Sequence, residues 1–296
     1  LKLSPAISNR KNFVSKAATG TESGYMTVQA ALQQGSELLK SRLTAEVLLM
    51  HAMRCDRAFL YAHGTDSLTQ LAWIHYGRYL NERLNGKPTQ YITHKQEFYG
   101  RDFYVDQNVL IPRPETEHLV ESALDYIQRQ NPRAILDVGT GSGAIAISIA
   151  AESGRLVLAS DISEPALKVA ERNRQSHDMS VLFFQADLLS AVAPRSVDLL
   201  LSNPPYVPGA DSANMQTEVR DWEPHIALFA CDDGFEIYQR LISQAETAVG
   251  RSGRIIMEMG YRSLEKVRAR LESRWTGIEV VHDLAGWPRV IAATLR

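Results

Sequence analysis

Three short segments carry residue types and spacings that could do chemistry. The most informative is Ser202-Asn203-Pro204-Pro205-Tyr206. An amide or aromatic amino nitrogen is a poor nucleophile because its lone pair is delocalised. The side-chain oxygen of Asn203 and the carbonyl oxygen of Pro204 could each accept one N–H of a planar NH₂ group. They would raise electron density on that nitrogen and favour the positive charge that develops as it attacks carbon. Two prolines fix the carbonyl direction beforehand, so little reorganisation remains. Tyr206 offers a flat face to a planar substrate. A sulfonium-bound methyl, already activated by its positive charge, would suit as the carbon attacked. At average residue frequencies Asn-Pro-Pro-Tyr arises by chance in about one chain in a thousand of this length. The plainer interpretation is a stiff turn, since Asn-Pro and Pro-Pro are common turn dipeptides. It leaves unexplained why the segment directly follows a strand, where α/β sheets bind ligands.

The second segment is Asp137-Val138-Gly139-Thr140-Gly141-Ser142-Gly143-Ala144. Glycines here permit a tight turn and close approach of a ligand to the next helix's N-terminal amides. The run fits the permissive pattern G-x-G-x-x-G/A, and also a turn chosen only for strand–helix packing. The third is Asp161, 22 residues beyond Gly139, the spacing at which an acid accepts hydrogen bonds from ribose hydroxyls. A helix cap for the segment starting near Glu164 is the structural alternative. Loop and acid together favour an adenosine-containing ligand and leave NAD and S-adenosylmethionine both open.

The elements that must position these residues are legible as alternating apolar runs and helical patterns. Short runs at 134–138, 156–159, 181–184, 197–201, 254–257, 278–281 and 290–294 predict seven strands. Helices are predicted from 144 and over 165–175. Runs buried on both faces and alternating with helices indicate a doubly wound, mostly parallel α/β sheet, the last two strands forming an antiparallel pair. Ahead of this, residues 26–90 read as a helical bundle. Its apolar sets are Val28, Leu32, Leu38 and Leu39, then Ala45, Leu48, Leu49 and Ala52, then Leu71, Ile74 and Leu80. Stop residues Asn85-Gly86 and Pro88 follow. Between, residues 91–112 predict a β-hairpin linker whose aromatic and β-branched residues surround Gly100-Arg101-Asp102. Pro112-Arg113-Pro114 then stiffens the chain ahead of Glu115, which suits a helix N-terminus. The catalytic domain is expected over 113–296.

Composition narrows the function. The 296 residues carry 32 Lys and Arg against 34 Asp and Glu, a formal charge of −2. Phosphate-dominated nucleic-acid binding usually brings a basic excess or cluster, so this class is disfavoured. Cys55 and Cys231 stand outside any C-x-x-C, and the eight histidines are scattered without ligand spacing. No catalytic metal is expected, and a reducing, cytoplasmic setting is. No apolar run approaches the ~20 residues that span a bilayer. Residues 1–25 have Lys2, Arg10, Lys11 and Lys16 as their only charges before Glu22. That suits a poorly ordered upstream extension better than a transit peptide, with Met26 as a natural start.

From about residue 26 to 296 the chain resembles the class I S-adenosylmethionine-dependent methyltransferases, and among them the HemK-like release-factor glutamine methyltransferases. The resemblance rests on the helical N-terminal domain, Phe98-Tyr99-Gly100, and Leu110-Ile111-Pro112-Arg113-Pro114-Glu115-Thr116-Glu117. It continues through the glycine loop, Asp161, Asn203 to Tyr206, and Asp283-Leu284-Ala285-Gly286. It implies a Rossmann-like catalytic domain and a helical domain that recognises substrate. The activity implied is methylation of the glutamine side-chain amide nitrogen (N5) in the Gly-Gly-Gln motif of peptide chain release factors, in translation termination. S-adenosylmethionine would be the donor, S-adenosylhomocysteine the product. Gly139, Thr140, Gly141, Ser142 and Gly143 would hold the methionine moiety and Asp161 the ribose. Asp187 and Leu188 would line the adenine, although many relatives carry an aromatic where Leu188 stands. Asn203, Pro204, Pro205 and Tyr206 would hold the glutamine amide, with Asn203, Pro204 and Tyr206 catalytic and Asn203 also beside the cofactor. Arg113 and Glu117 suit either the mouth of the site or a salt-bridged helix start. A monomer is expected.

Three alternatives stand beside this. An adenine-N6 methyltransferase acting on DNA or RNA would use the same tetrapeptide but lacks a basic target-reading region here. An NAD-dependent oxidoreductase would use the glycine loop and leave Asn-Pro-Pro-Tyr without a role. A binding-only scaffold would have no need of Asn203 and Tyr206.

Overall fold

The computed structural model describes residues 26–230, 234–260 and 262–296. The expectation for residues 1–25, and Cys231, lie outside the described residues. The chain forms two compact units, one ending at Thr93 and one running from His94 to Arg296.

The first unit is helical: α1 (Val28–Leu39), α2 (Arg42–Met53), α3 (Arg57–Ala62), α4 (Gln70–Leu84) and α5 (Thr89–Thr93). Side chains of Thr27, Ser41, Asp56 and Thr69 cap the first four, each accepting from a backbone N–H in the first turn. The core joins Val28, Leu32, Leu48, Leu49, Leu60, Tyr76, Tyr79 and Leu80. Here the sequence expectation needs one correction. Leu71 and Ile74 are 65% and 48% exposed, and the buried stripe of α4 is Ala72, Tyr76, Gly77, Tyr79 and Leu80. Two tyrosines and a glycine carry the inward face, so an aliphatic count places the stripe on the wrong side.

The second unit opens with a hairpin, β1 (Gln96–Phe98) and β2 (Arg101–Phe103), paired antiparallel. Arg101 and Asp102 belong to β2. The turn is Tyr99-Gly100, both at positive φ (51° and 71°), the two-residue geometry that matches strand twist. A short 3-10 helix (Pro114–Thr116) then leads into α6 (Glu117–Gln130).

The sheet follows: β3 (Ile135–Val138), α7 (Ala144–Ser153), β4 (Val157–Asp161), α8 (Glu164–His177), β5 (Val181–Gln185) and β6 (Val197–Ser202). Two short helices, α9 (Thr217–Trp222) and α10 (His225–Leu228), precede α11 (Glu236–Ala248), β7 (Val249–Glu258), α12 (Leu264–Glu272), β8 (Trp275–His282) and β9 (Pro288–Leu295). Strand order is β5-β4-β3-β6-β7-β9-β8. The first five run parallel, and β9 pairs antiparallel with both β7 and β8. The doubly wound seven-stranded sheet and its antiparallel terminal pair are as expected. Successive residues alternate between two cores. Ile135, Leu199, Leu201, Ile256 and Val290 pack with α6 and α7, while Leu136, Leu200, Ile255, Met257 and Ile291 pack with α11 and α12. From β3 the chain winds to β4 and β5 on one side, then returns to β6 on the other. The carboxyl ends of β3 and β6 therefore flank the topological switch point, where such sheets open a crevice.

Candidate active site

A cavity of about 330 Å³ lies at that switch point. Register brings its parts together: Val138 pairs with Ser202, and Ser202 with Met257. Gly139, Asn203 and Glu258, each one residue further on, leave neighbouring strand ends. The glycine loop folds back on its own sheet, since the N–H groups of Gly139 and Thr140 donate to Ser160 O at 2.8 and 2.9 Å. The Thr140 hydroxyl donates to Asp137 Oδ2 at 2.7 Å. Burial pushes the Asp137 carboxyl up to about 7, against the pull of that hydroxyl.

Asp161 ends β4 with its carboxylate spoken for at two points. Oδ2 accepts from Gly141 N and Oδ1 from Ser163 N, both at 2.9 Å. Burial raises its pKa, and these backbone donors work the other way. Capping of α8 belongs to Ser163, whose hydroxyl accepts from Ala166 N at 3.3 Å. Asp161 thus ties the glycine loop to the start of α8, with lone pairs left on both oxygens.

The cavity is lined by Gly139, Thr140, Gly141, Ser142, Asp161, Asp187, Leu188, Asn203 and Pro205, and by Arg113 and Thr116. Apolar walls come from Phe98, Val109, Pro112, Ile162 and Ile226. Asp187 is ion-paired with Arg240 at 2.6 Å, and Leu188 holds a left-handed backbone at φ 52°. Gly143, Pro204 and Tyr206 do not line the cavity. Gly143 is the N-cap of α7, Pro204 is buried, and the Tyr206 ring lies against Gly260. Arg113 pairs with buried Glu223 at 2.5 Å, whose other oxygen accepts from Ile111 N at 3.2 Å. Glu117 accepts from Tyr99 N at 2.9 Å and fastens the hairpin turn to α6.

Behind Asn203 stand two residues, Thr116 and Glu258, that sequence reasoning gave no role. Asn203 Nδ2 donates to Thr116 Oγ1 at 3.2 Å, and Thr116 Oγ1 donates to Glu258 Oε2 at 2.5 Å. The Tyr206 hydroxyl lies 3.4 Å from Glu258 Oε1. Burial pushes Glu258 up to about 7, opposed by Thr116 and Arg289. Burial also raises the Tyr206 hydroxyl, with Glu258 next in effect. Asn173 was likewise missed: it accepts from Tyr104 N and donates to Ser142 O, both at 2.8 Å. Its trace in the sequence is a polar residue on the apolar stripe Ala166, Val169, Ala170 of α8.

The chemistry is that of a nucleotide-sized crevice lined by a glycine-rich backbone turn, a carboxylate with free acceptor capacity and an anchored amide. Among the described residues no group of three or more His, Cys, Asp or Glu could hold a metal ion, and no helix is long and apolar enough to cross a membrane.

Comparison with known proteins agrees with this arrangement. Residues 30–93 match the PrmC N-terminal domain and residues 117–219 the methyltransferase small domain. The release factor glutamine methyltransferase of Koribacter versatilis is 44% identical over 252 residues, covering 84% of this chain and 90% of that protein. That of Chlorobaculum tepidum is 41% identical over 254 residues, covering 82% and 86%. Among solved structures the hMettl16 catalytic domain in complex with the MAT2A 3'UTR hairpin 6 shares the fold, with a TM-score of 0.55 over 74% of this chain and 82% of that one, at 17% identity. With a helical unit ahead of a class I methyltransferase sheet, and relatives this similar over most of their length, the chain belongs to the release factor glutamine methyltransferase family.

Proposed function

We propose that this protein transfers a methyl group from S-adenosylmethionine to the side-chain amide nitrogen of the glutamine in the Gly-Gly-Gln motif of peptide chain release factors. The observation that carries it is Asn203, which directly follows β6 at the switch-point cavity with its nitrogen tied to Thr116 and, among the described residues, its oxygen left for a ligand.

The residues around the cavity fit the cofactor. Cβ atoms built on Gly139 and Gly141 meet nothing within 4 Å, so the loop offers bare backbone to a ligand. Asp161 retains acceptor capacity for ribose hydroxyls, and Asp187 with Leu188 suits the edge and face of an adenine. When bound, the cofactor supplies an electrophilic methyl on sulfur. The chain's own work is orientation. Asn203 Oδ1 takes one N–H of the substrate amide, leaving the nitrogen lone pair directed at the methyl. Because Thr116 fixes this acceptor before the substrate arrives, its attraction for a nitrogen gaining positive charge adds directly to the rate. The apolar walls exclude water, which strengthens that hydrogen bond.

The test is incubation of the purified chain with a release factor and S-adenosylmethionine carrying a labelled methyl, followed by peptide mass spectrometry. The expected product carries one methyl on that glutamine. Label on nucleic acid instead, or on another residue, would overturn the assignment.

A further inference from the structure

We propose that Thr116 and Glu258 are positioning residues that set which face of the Asn203 amide meets the substrate, and that ionisation of Glu258 holds the productive face in place. The inference deepens the proposed methylation of a glutamine amide and rests on it.

Hydrogen-bond polarity carries the assignment. An ionised carboxylate only accepts, and a threonine hydroxyl has one proton to donate. With Glu258 Oε2 at 2.5 Å, that proton is committed to the carboxylate. Thr116 Oγ1 then has only lone pairs for its second neighbour, so the Asn203 atom at 3.2 Å must be a donor. The amide nitrogen turns toward Thr116, and the oxygen turns away from it. A substrate NH₂ needs an acceptor, so this is the orientation that binds it. The opposite flip would set NH₂ against NH₂.

Several other groups surround Glu258. The Tyr206 hydroxyl lies at its second oxygen, and Arg289 on β9 and Glu115 in the 3-10 turn act on its charge. Tyr238 of α11 donates to its backbone carbonyl at 3.2 Å and accepts from Gly260 N at 3.3 Å, which pins the end of β7. Burial is the largest influence and favours the neutral form, Glu115 adds to it, and Thr116, Arg289 and Tyr206 favour the charged form. A neutral carboxyl brings its own O–H. Thr116 is then released from donating to it, can donate to the amide oxygen, and Asn203 loses its enforced direction. Turnover is accordingly expected to fall as Glu258 takes up a proton.

The test compares wild type, Thr116→Val, Thr116→Ser and Glu258→Gln with a release factor as substrate, measuring kcat across pH and cofactor Kd by calorimetry. Thr116→Val keeps shape and loses the relay. It should lower kcat by roughly 10²-fold, the scale for a misplaced reacting group, with cofactor Kd unchanged. Thr116→Ser keeps the hydroxyl and should restore most of the loss. Wild type should lose kcat toward acid with a midpoint near neutrality, and Glu258→Gln should lack that limb. Full turnover in Thr116→Val, no rescue by Thr116→Ser, or the same acid limb in Glu258→Gln would each overturn the proposal. A wild-type chain that leaves the glutamine unmodified would instead refute the function on which it rests.

Discussion

Asn203 is held, among the described residues, by the one hydrogen bond from Nδ2 to Thr116. Asn203→Ala therefore removes an acceptor that was oriented before substrate arrived, while leaving the glycine loop and Asp161 untouched. Loss of one such preorganised group costs about 2.7–4 kcal/mol in the chemical step. Single-turnover kinetics should show that loss and calorimetry a nearly unchanged cofactor Kd; unimpaired turnover would remove Asn203 from the chemistry. The residues of the cavity's front were legible because each sits in a short local pattern: Gly139 to Ser142, Asp161 closing a strand, Asn203 directly after another. Those behind it were not. Thr116 and Glu258 are 142 residues apart in sequence, and Asn203 and Thr116 are 87 apart. Thr116 was visible only as one letter of the Ile-Pro-Arg-Pro-Glu-Thr-Glu run. The apolar run that predicted β7 stops at Met257, one residue short of Glu258. An acid closing a buried strand was the available sign, since it continues the face of Ile256 by the two-residue period.

At the scale of elements, periodicity identified the strands and the first two helices. It failed where polar-tipped residues face inward, as in α4 with Tyr76 and Tyr79. It also gave no account of α11, whose buried residues Tyr238, Leu241, Ile242, Ala245 and Ala248 wall the second core. The glycine loop shows what pattern alone cannot rank, because its glycines serve different ends. Gly143 has φ 80°, and a Cβ there would meet Ile147 Cδ1 at 3.0 Å and Ala170 Cβ at 3.3 Å. Gly143→Ala thus adds crowding between α7 and α8 to a left-handed penalty of about 1–2 kcal/mol. Gly139 has φ 74° with nothing within 4 Å of its Cβ, so Gly139→Ala incurs the backbone penalty alone and points its methyl into free space beside the cavity. Urea unfolding should find Gly143→Ala the less stable of the two. The larger loss of cofactor affinity should fall on Gly139→Ala. The reverse order in either measurement would mean that the packing role and the ligand-facing role have been exchanged.

Across the whole molecule, the sheet carries two buried carboxyls at the ends of parallel strands: Asp137 near the end of β3 and Glu258 closing β7. Burial pushes each up to about 7, from ordinary values of 3.8 and 4.5. In the unfolded chain both ionise near pH 4, so between about pH 4 and 7 the folded state binds more protons than the unfolded one. Stability therefore falls as pH rises through that window and levels off above it. The slope approaches ~1.4 kcal/mol per pH unit for each group fully protonated only in the fold. Ion-paired carboxylates such as Asp283 and Glu171, whose pKa values are lowered by Arg289 and Arg174, act oppositely and only as pH drops below about 4. Denaturant titrations of wild type at pH 5, 6 and 7 should thus show declining stability, and Glu258→Gln should decline less steeply, because Gln does not titrate. Parallel slopes for the two proteins would mean that Glu258 is already ionised at pH 5. Such a result would also move the acid limb of turnover below the range in which the site operates. The ionised carboxylate that commits Thr116 to donating is the form that folding disfavours, so gain of turnover and loss of stability should follow one titration.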